Sequence, residues 1–429
     1  MRLGRSSTVS SFVLAVVLLL TGLPVMADGI IGHPVVTPAG TFGGIAYSRY
    51  DGLFEGSTST GAYRVPYRIT VPADPRRSNR TVVVEPPHFA MGLGSLSLYL
   101  RPDLLFPRGF VHAGVGWSTA SFGPNLNMRI LDPTMPGAFI AGGVPDGNGR
   151  TDDEIIVDFA RALSSDPVAR LVLGRVERRY LVGFSDSSDA VLRLITSGRA
   201  ADVFDFALPF IASGWDAQAA LGLGLFTGKI IVVDSEFDDP TGLRDRGGVP
   251  HQYRFYVVAG TPHRPDPLDV ASPANKTTPA SYAAALRAHF LQGHRWVEHG
   301  TQPPPSTHLQ TARDGTYVRD PNGNALTANM HDRTVPRLPF VELGEARFIS
   351  DFFGSYDGVR TIYEMGFRNH RQYLDAFYDK LSEYVKADYM LEEDAEVMRR
   401  RARLCPPLTF TETYRDYYAS FVAVTACVR

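Results

Sequence analysis

Short apolar runs alternate with segments of helical periodicity through the middle of the chain. Each run has the length of a buried strand, and the runs are residues 81–85, 109–115, 179–182, 204–211, 229–233 and 253–258. Residues 152–163 and 187–196 lie between runs and carry apolar side chains at helical spacing. Continuous apolar strands separated by helices are typical of a parallel sheet covered on both faces. We therefore predict an α/β fold with a mostly parallel central sheet and helices on both faces.

The edges of this sheet follow a different pattern. Residues 32–70 are rich in turns and in alternating polar and apolar positions. Together with Pro66 they predict edge strands, because proline is tolerated there and not in a central strand. The connection between residues 211 and 229 is too short to hold a separate domain. We therefore expect no cap between the sixth and seventh strands.

The first 27 residues have the pattern of an export signal. Arg2 and Arg5 precede a short apolar run at 12–20, and small residues up to Ala27 suit a signal peptidase. We predict a signal peptide at 1–27, a cut after Ala27 and a secreted or periplasmic protein; an uncleaved N-terminal anchor is the alternative. No later segment is long and apolar enough for a membrane span, so we expect none in the mature chain.

Composition, charge and the number of cysteines argue against several classes of partner and of metal site. The chain has 44% hydrophobic and 21% charged residues and a net charge of -2, so we expect no nucleic acid partner. Its two cysteines, Cys405 and Cys427, are too few for a cysteine zinc site. In an exported protein we expect them to form a disulfide that closes a loop of about 22 residues. Such a bond stabilises the folded state by roughly 3 kcal/mol. Two unpaired thiols are the alternative. No phosphate-binding or zinc-protease motif is present, and we predict no metal and no cofactor.

One motif in the centre of the chain points to chemistry. The apolar run at 179–182 leads through Gly183 to Ser185, and the helical segment at 187–196 follows. A serine in a tight turn between strand and helix is a nucleophile elbow, which requires small residues two positions before and after the serine. Gly183 meets this requirement fully and Ser187 partly. A chance match in a β–α turn is the alternative, because the motif alone has low specificity.

The strands downstream end in the other groups that a serine nucleophile needs. Glu236 and Asp238 come just after one predicted strand, and His263 follows the next. This is the chain order nucleophile, acid, histidine, and catalytic groups collect at the carboxyl ends of parallel strands. Asp238 lies where the acid usually falls, and Glu236 could take the role with its longer side chain. We predict Ser185 as nucleophile, His263 as base, and Asp238 or Glu236 as acid.

Acyl transfer also needs donors for the oxyanion. The backbone N–H of Asp186, directly after the serine, is one candidate. The second should follow the run at 81–85, where two prolines have no N–H, so we predict the backbone of His88 and Phe89. For the His88 side chain, a solvated loop histidine is the alternative.

These residues resemble the largely uncharacterised family of esterase-like α/β-hydrolase-domain proteins that bacteria export. The likeness runs over almost the full mature length, and the stretches that carry it are 67–74, 79–85, 183–187, 259–263, 295–304, 320–325 and 337–339. It implies the α/β-hydrolase fold and a Ser-His-acid hydrolase, and it implies no specific substrate. The sequence departs from the family at Asp186 and Ser187, where similar sequences more often have a polar residue and then a glycine or another small residue.

The chain continues well beyond the last predicted strand. Helical periodicity returns at 281–296 and 369–403, with a polar, loop-rich stretch between. We predict a core at 28–263 and a long C-terminal helical and loop extension at 264–429. Because no cap covers the sheet, we expect this extension to pack on the core near the active site and supply its walls.

Taken together, the sequence predicts a secreted serine hydrolase that cleaves carboxylic esters through an acyl-enzyme intermediate. Its partner would be a small-molecule or acyl ester substrate. An amidase or peptidase with the same triad is one alternative, because ester and amide cleavage use the same oxyanion geometry. A non-catalytic binding protein that has kept the fold is the other.

Overall fold

A nine-stranded sheet forms the centre of the structure. The structure is a computed structural model, and the residues that it describes are 29–59, 61–88, 99–118, 153–212, 216–239, 244–265, 278 and 280–404. Its strands are β1 (Gly29–Phe42), β2 (Ile45–Thr58), β3 (Gly61–Pro72), β4 (Thr81–Val84), β5 (Val111–Val115), β6 (Arg178–Phe184), β7 (Phe206–Phe210), β8 (Lys229–Ser235) and β9 (Tyr253–Val258). Their order across the sheet is β1-β2-β3-β5-β4-β6-β7-β8-β9. Pairing is antiparallel from β1 through β3 to β5 and parallel from β5 to β9. The predicted mostly parallel sheet is confirmed. Residues 32–70 lie at one side of it, but β3, which contains Pro66, pairs with both β2 and β5, so the prediction of an edge strand at Pro66 is wrong. The proline is accommodated there because it precedes the first β3–β5 pair, Tyr67 with Val115.

Helices cover the sheet on both faces. They are α1 (Pro102–Leu105), α2 (Glu154–Ser165), α3 (Pro167–Leu173), α4 (Asp186–Thr196), α5 (Gln218–Gly222), α6 (Ala283–His299), α7 (Pro339–Glu342), α8 (His370–Lys386) and α9 (Glu392–Leu404). Apolar side chains of α2 to α5 pack in one core, and those of α1 and α6 to α9 pack in the other. Strand β4 contributes side chains to both cores, since Val82 and Val84 lie in the first core and Val83 lies in the second. The period of two sends successive side chains to opposite faces, so every residue of a central strand can be apolar.

The connection between β7 and β8 is short, as the sequence indicates. Its described residues contain one five-residue helix, α5, which packs beside α4. Among the described residues between β7 and β8, which correspond to the predicted runs at 204–211 and 229–233, no cap domain is present.

The described C-terminal residues contain two small antiparallel pairs of strands besides the helices. They pair β10 (Thr307–Leu309) with β11 (Thr327–Asn329), and β12 (Arg347–Ile349) with β13 (Ser355–Asp357). The helical region expected at 369–403 is two helices, because Asp388 adopts a φ of 66° between α8 and α9. A left-handed residue of this kind ends a right-handed helix.

Several predictions concern residues outside this description, namely the signal peptide, Phe89, Cys405 and Cys427. Of the helices that the structure describes, none is long and apolar enough to cross a membrane. Within the same ranges, no group of three or more His, Cys, Asp or Glu side chains is placed to hold a metal ion.

Candidate active site

Ser185 lies in a tight turn between β6 and α4, with φ of 50° and ψ of -118°. A positive φ is unfavourable for a residue with a side chain, so the surrounding contacts must hold this conformation. Its N–H donates to the Phe210 carbonyl at 3.1 Å, which continues the β6–β7 ladder to the turn. The serine therefore projects from the carboxyl end of a central strand, as an elbow requires.

The small residues on either side make this turn possible. A Cβ at Gly183 would lie 2.5 Å from the Ser187 carbonyl oxygen, so the strand and the helix meet too closely for any side chain there. The Ser187 hydroxyl accepts from the Phe184 N–H at 2.9 Å and donates to the Phe184 carbonyl at 3.0 Å. Ser188 donates to the Ser185 carbonyl at 2.6 Å. Ser187 therefore adds hydrogen bonds to the steric role that the sequence indicates.

The contact at Gly183 has a measurable consequence. We expect Gly183→Ala to destabilise the protein by at least about 1–3 kcal/mol, the usual cost of overpacking, because the clash is with backbone that cannot rotate away. Chemical denaturation measures this free energy. Gly222→Ala is the matched control, since a Cβ there meets nothing within 4 Å. Equal stability of the two variants would contradict the close approach at the elbow.

Ser187 allows a second expectation. Ser187→Ala removes two hydrogen bonds but keeps a side chain that the turn already accommodates. We expect a loss of about 1 kcal/mol in the free energy of unfolding for each bond at most. Most of the activity should remain in an ester assay, because the Ser187 hydroxyl is bonded to Phe184 and takes no part in the contacts of Ser185. A loss as large as that caused by removing Ser185 itself would contradict this assignment.

His263 and Asp238 continue from the serine as one hydrogen-bonded chain. The Ser185 Oγ lies 3.0 Å from His263 Nε2, and His263 Nδ1 lies 2.8 Å from Asp238 Oδ1. Asp238 also accepts from the Ser235 hydroxyl at 2.6 Å, and its own N–H donates back to Ser235 at 3.1 Å. Asp238 is 8% exposed, so these partners fix the direction of its carboxylate in a nearly dry position.

Glu236 has a different set of partners. Its Oε2 accepts from the Gly260 N–H at 2.7 Å and its Oε1 accepts from Arg319 at 2.8 Å. These bonds join the loops after β8 and β9 to the C-terminal part of the chain. Of the two carboxylates that the sequence left open, the structure brings Asp238 to His263 and places Glu236 in a supporting bond.

Two further carboxyls, those of Asp234 and Asp239, lie in the same segment of the chain as Glu236 and Asp238. Burial raises the pKa of Asp239 to about 7, while Arg244 lowers it and Glu236 raises it. Burial also raises the pKa of Asp234 well above its ordinary value, although a hydrogen bond from the Ala212 N–H opposes the shift. Burial therefore favours the protonated form of both carboxyls.

The predicted oxyanion donors lie close to the elbow where the structure describes them. Asp186 is the first residue of α4, and the first N–H groups of a helix have no partner within the helix. His88 is buried, with its ring 5.2 Å from the ring of Phe184, so the solvated alternative for His88 is wrong. Burial lowers the pKa of His88 to about 4, and the nearby His263 and Arg264 contribute to the same shift. The imidazole of His88 is therefore neutral at neutral pH.

The loop that carries His88 is held by buried polar contacts. His112 Nε2 lies 3.1 Å from Glu85 Oε2, and both side chains are almost fully buried. The Trp117 indole N–H donates to the Pro87 carbonyl at 2.9 Å. These contacts fix the backbone on the side of the elbow where the second donor is expected.

Residues from the C-terminal part reach His263. The ring of Phe352 stacks on the imidazole at 4.6 Å and 19°, and the Tyr282 hydroxyl donates to the His263 carbonyl at 3.0 Å. Sequence reasoning did not single out either residue. The signal for Phe352 was its place in Asp351-Phe352-Phe353-Gly354, two aromatic residues inside a polar turn.

The strand order and the serine elbow define the α/β-hydrolase fold. The chain belongs to the alpha/beta hydrolase domain family, whose model matches residues 48–400. The fold and the family resemblance predicted from the sequence are therefore confirmed.

Similar solved structures include three hydrolases. The esterase Est22 is 11% identical over 44% of this chain and 64% of that chain, with a TM-score of 0.28. The siderophore hydrolase EstB from Aspergillus nidulans is 13% identical over 50% of this chain and 89% of that chain, with a TM-score of 0.32. A dienelactone hydrolase from Anabaena variabilis is 12% identical over 48% and 86%, with a TM-score of 0.31. No curated protein matches the sequence.

Proposed function

We propose that this protein is a serine hydrolase that cleaves carboxylic esters through an acyl-enzyme intermediate. Ser185 is the nucleophile, His263 the base and Asp238 the acid. The observation that carries the proposal is the hydrogen-bonded chain from the Ser185 Oγ, through 3.0 Å and 2.8 Å contacts, to Asp238. Such a chain at an elbow is the arrangement that activates a serine hydroxyl at neutral pH.

The chemistry follows from these positions. His263 Nε2 removes the hydroxyl proton as the Ser185 Oγ attacks the carbonyl carbon of the ester. Asp238 holds the imidazole in the tautomer that leaves Nε2 free to accept, and it stabilises the imidazolium that forms. The imidazolium then gives its proton to the departing alkoxy oxygen. Water attacks the acyl-enzyme by the same proton route and releases the acid.

The negative charge on the carbonyl oxygen needs two donors. We assign one to the N–H of Asp186 and the other to the backbone at His88 or Phe89. The fixed loop around Pro87 supports the second assignment, because donors act best when they do not reorganise during the reaction. Each such donor is worth roughly 2.7–4 kcal/mol of barrier.

We also propose that the enzyme acts outside the cytoplasm, and the support is the pattern of residues 1–27. A disulfide between Cys405 and Cys427 belongs to the same proposal, since thiols pair in oxidising compartments. Thiol titration of the secreted, unfolded protein with and without reductant tests the pairing.

Turnover of matched esters and amides tests the proposed function. A series of p-nitrophenyl esters of increasing acyl length is compared with the p-nitroanilides of the same acids, using the full mature chain. We expect ester hydrolysis with a preference for one range of acyl lengths, and much slower anilide hydrolysis. Faster anilide cleavage would make the protein an amidase or peptidase. Absence of turnover in both series would favour a binding protein.

A further inference from the structure

We propose that Phe237 and Phe352 bind the alcohol part of the ester, so that the enzyme prefers esters of apolar, ring-containing alcohols. This inference rests on the proposed ester hydrolysis and adds a substrate class to it. The two residues frame the imidazole of His263 and are together called the aromatic rim.

The rim is defined by ring geometry around His263. Phe352 stacks on the imidazole at 4.6 Å, and Phe237 meets it edge-on at 6.0 Å and 76°. The two phenylalanine rings are perpendicular to each other at 6.1 Å. A third ring, Phe353, lies 4.8 Å from Phe352.

The rim and the neighbouring Phe353, which is 39% exposed, differ from Phe184 in their exposure. Phe237 is 40% exposed and Phe352 is 45% exposed, whereas Phe184, which also lies next to His263, is 4% exposed. Large exposed apolar side chains that cluster beside catalytic groups commonly mark a ligand surface. The rim therefore presents an apolar face to a substrate at the mouth of the site.

The backbone of both rim residues is held by hydrogen bonds, and the Phe237 N–H donates to the Thr261 carbonyl at 3.3 Å. Phe352 lies in the tip of the β12–β13 hairpin, and its carbonyl accepts from the Arg264 N–H at 2.8 Å. The Asp351 carboxylate closes the tip by accepting from the Gly354 N–H at 2.6 Å. Gly354 itself packs so closely on Pro262 that a Cβ would lie 2.8 Å from its Cγ. Binding to side chains on a fixed backbone costs less ordering entropy than binding to a mobile loop.

The direction of proton transfer decides which half of the ester meets the rim. In acylation the bond from the Ser185 Oγ to the carbonyl carbon forms and the bond to the alkoxy oxygen breaks. The alkoxy oxygen keeps the electron pair and takes the proton from His263 Nε2, so it must lie within hydrogen-bond reach of that nitrogen. The group attached to this oxygen is therefore carried toward the neighbours of His263, which are the rim. The acyl group stays bonded to Ser185.

Two substrate series separate this inference from its alternatives. One keeps the acetyl group and changes the alcohol from ethyl to cyclohexyl and benzyl; the other keeps the ethyl alcohol and lengthens the acyl chain. We expect Phe352→Leu and Phe237→Leu each to lower kcat/KM for benzyl acetate by roughly tenfold, the scale of one lost aromatic contact. For ethyl acetate and the acyl series any loss should be smaller, so the ratio of kcat/KM for benzyl acetate to kcat/KM for ethyl acetate should fall in each variant. Tyr363→Leu, which removes an aromatic ring that is 70% exposed, is the matched control and should change neither series.

The outcomes are distinguishable. Equal losses of kcat/KM for all esters would mean that Phe352 only positions the imidazole. Losses that follow acyl length would place the acyl group at the rim. Either result overturns this inference and leaves the proposed ester hydrolysis in place. The inference is also overturned if the Phe352 and Phe237 variants hydrolyse both ethyl acetate and benzyl acetate as fast as the wild type. If the wild type hydrolyses no ester of either series, the proposed function fails and the inference fails with it.

Discussion

Replacing Ser185 with alanine should lower kcat for ester hydrolysis by on the order of 10⁴-fold or more. The reason is that the Ser185 Oγ, which lies 3.0 Å from His263 Nε2, is the proposed nucleophile. Steady-state rates with a p-nitrophenyl ester measure the effect. The fold should survive, because alanine keeps the Cβ at this position and the hydrogen bond to the Phe210 carbonyl is made by the backbone N–H.

A second serine on the same helix provides the control. Ser197 caps the far end of α4 and its hydroxyl bonds only to the Leu194 carbonyl among the described residues, so Ser197→Ala should keep the wild-type rate. A Ser185→Ala variant that retains more than a small fraction of the activity would remove Ser185 from the proposed role.

Asp238→Asn should lower kcat by about 10⁴-fold. An asparagine amide that donates to His263 Nδ1 favours the tautomer with its proton on Nε2, and Nε2 then cannot accept the proton of the serine hydroxyl. The change keeps the size of the side chain and an oxygen for the Ser235 hydroxyl. The loss should therefore appear in the rate and much less in the free energy of unfolding. Both quantities are measured on the same preparation.

Glu236→Gln is the matched variant, since it makes the same chemical change two residues away. Its carboxylate bonds to Arg319 and to the Gly260 N–H, so we expect reduced stability and a much smaller loss of rate. The reverse ranking of the two variants would transfer the role of the acid to Glu236 and leave the rest of the mechanism in place.

Local sequence was sufficient for the sheet and for the candidate groups at its edge. The run at 253–258 is the whole of β9, and the run at 229–233 falls short of the end of β8 by two residues. Central parallel strands are apolar throughout because both of their faces are buried. The residues just after them therefore stand out as polar, which is how Asp238 and His263 could be recognised.

The choice between Asp238 and Glu236 could not be made in this way. Both carboxylates lie in one turn, and what separates them is the partner that each finds across the fold. Arg319 comes from a loop that is distant in sequence, and no periodicity shows that it reaches Glu236. The aromatic rim was missed for the same reason, since the hairpin that carries Phe352 is short and its apposition to His263 is a tertiary contact.

The sequence predicts that residues after 264 supply walls for the site, and Phe352 and Tyr282 contact His263 in the structure. The division into a core at 28–263 and an extension at 264–429 stays a prediction. Helix α6 shows why it is not a simple boundary, because its side chains fill the same core as strands β6 to β9.

The residue that an active-site probe modifies tests the role of Ser185 most directly. The full mature chain is reacted with a fluorophosphonate, digested and analysed by mass spectrometry, with protein denatured before the reaction as the control. The proposed role of Ser185 predicts one adduct, on the peptide that contains this residue, and none in the denatured control or in Ser185→Ala. An adduct on another serine, or equal labelling of native and denatured protein, would contradict it.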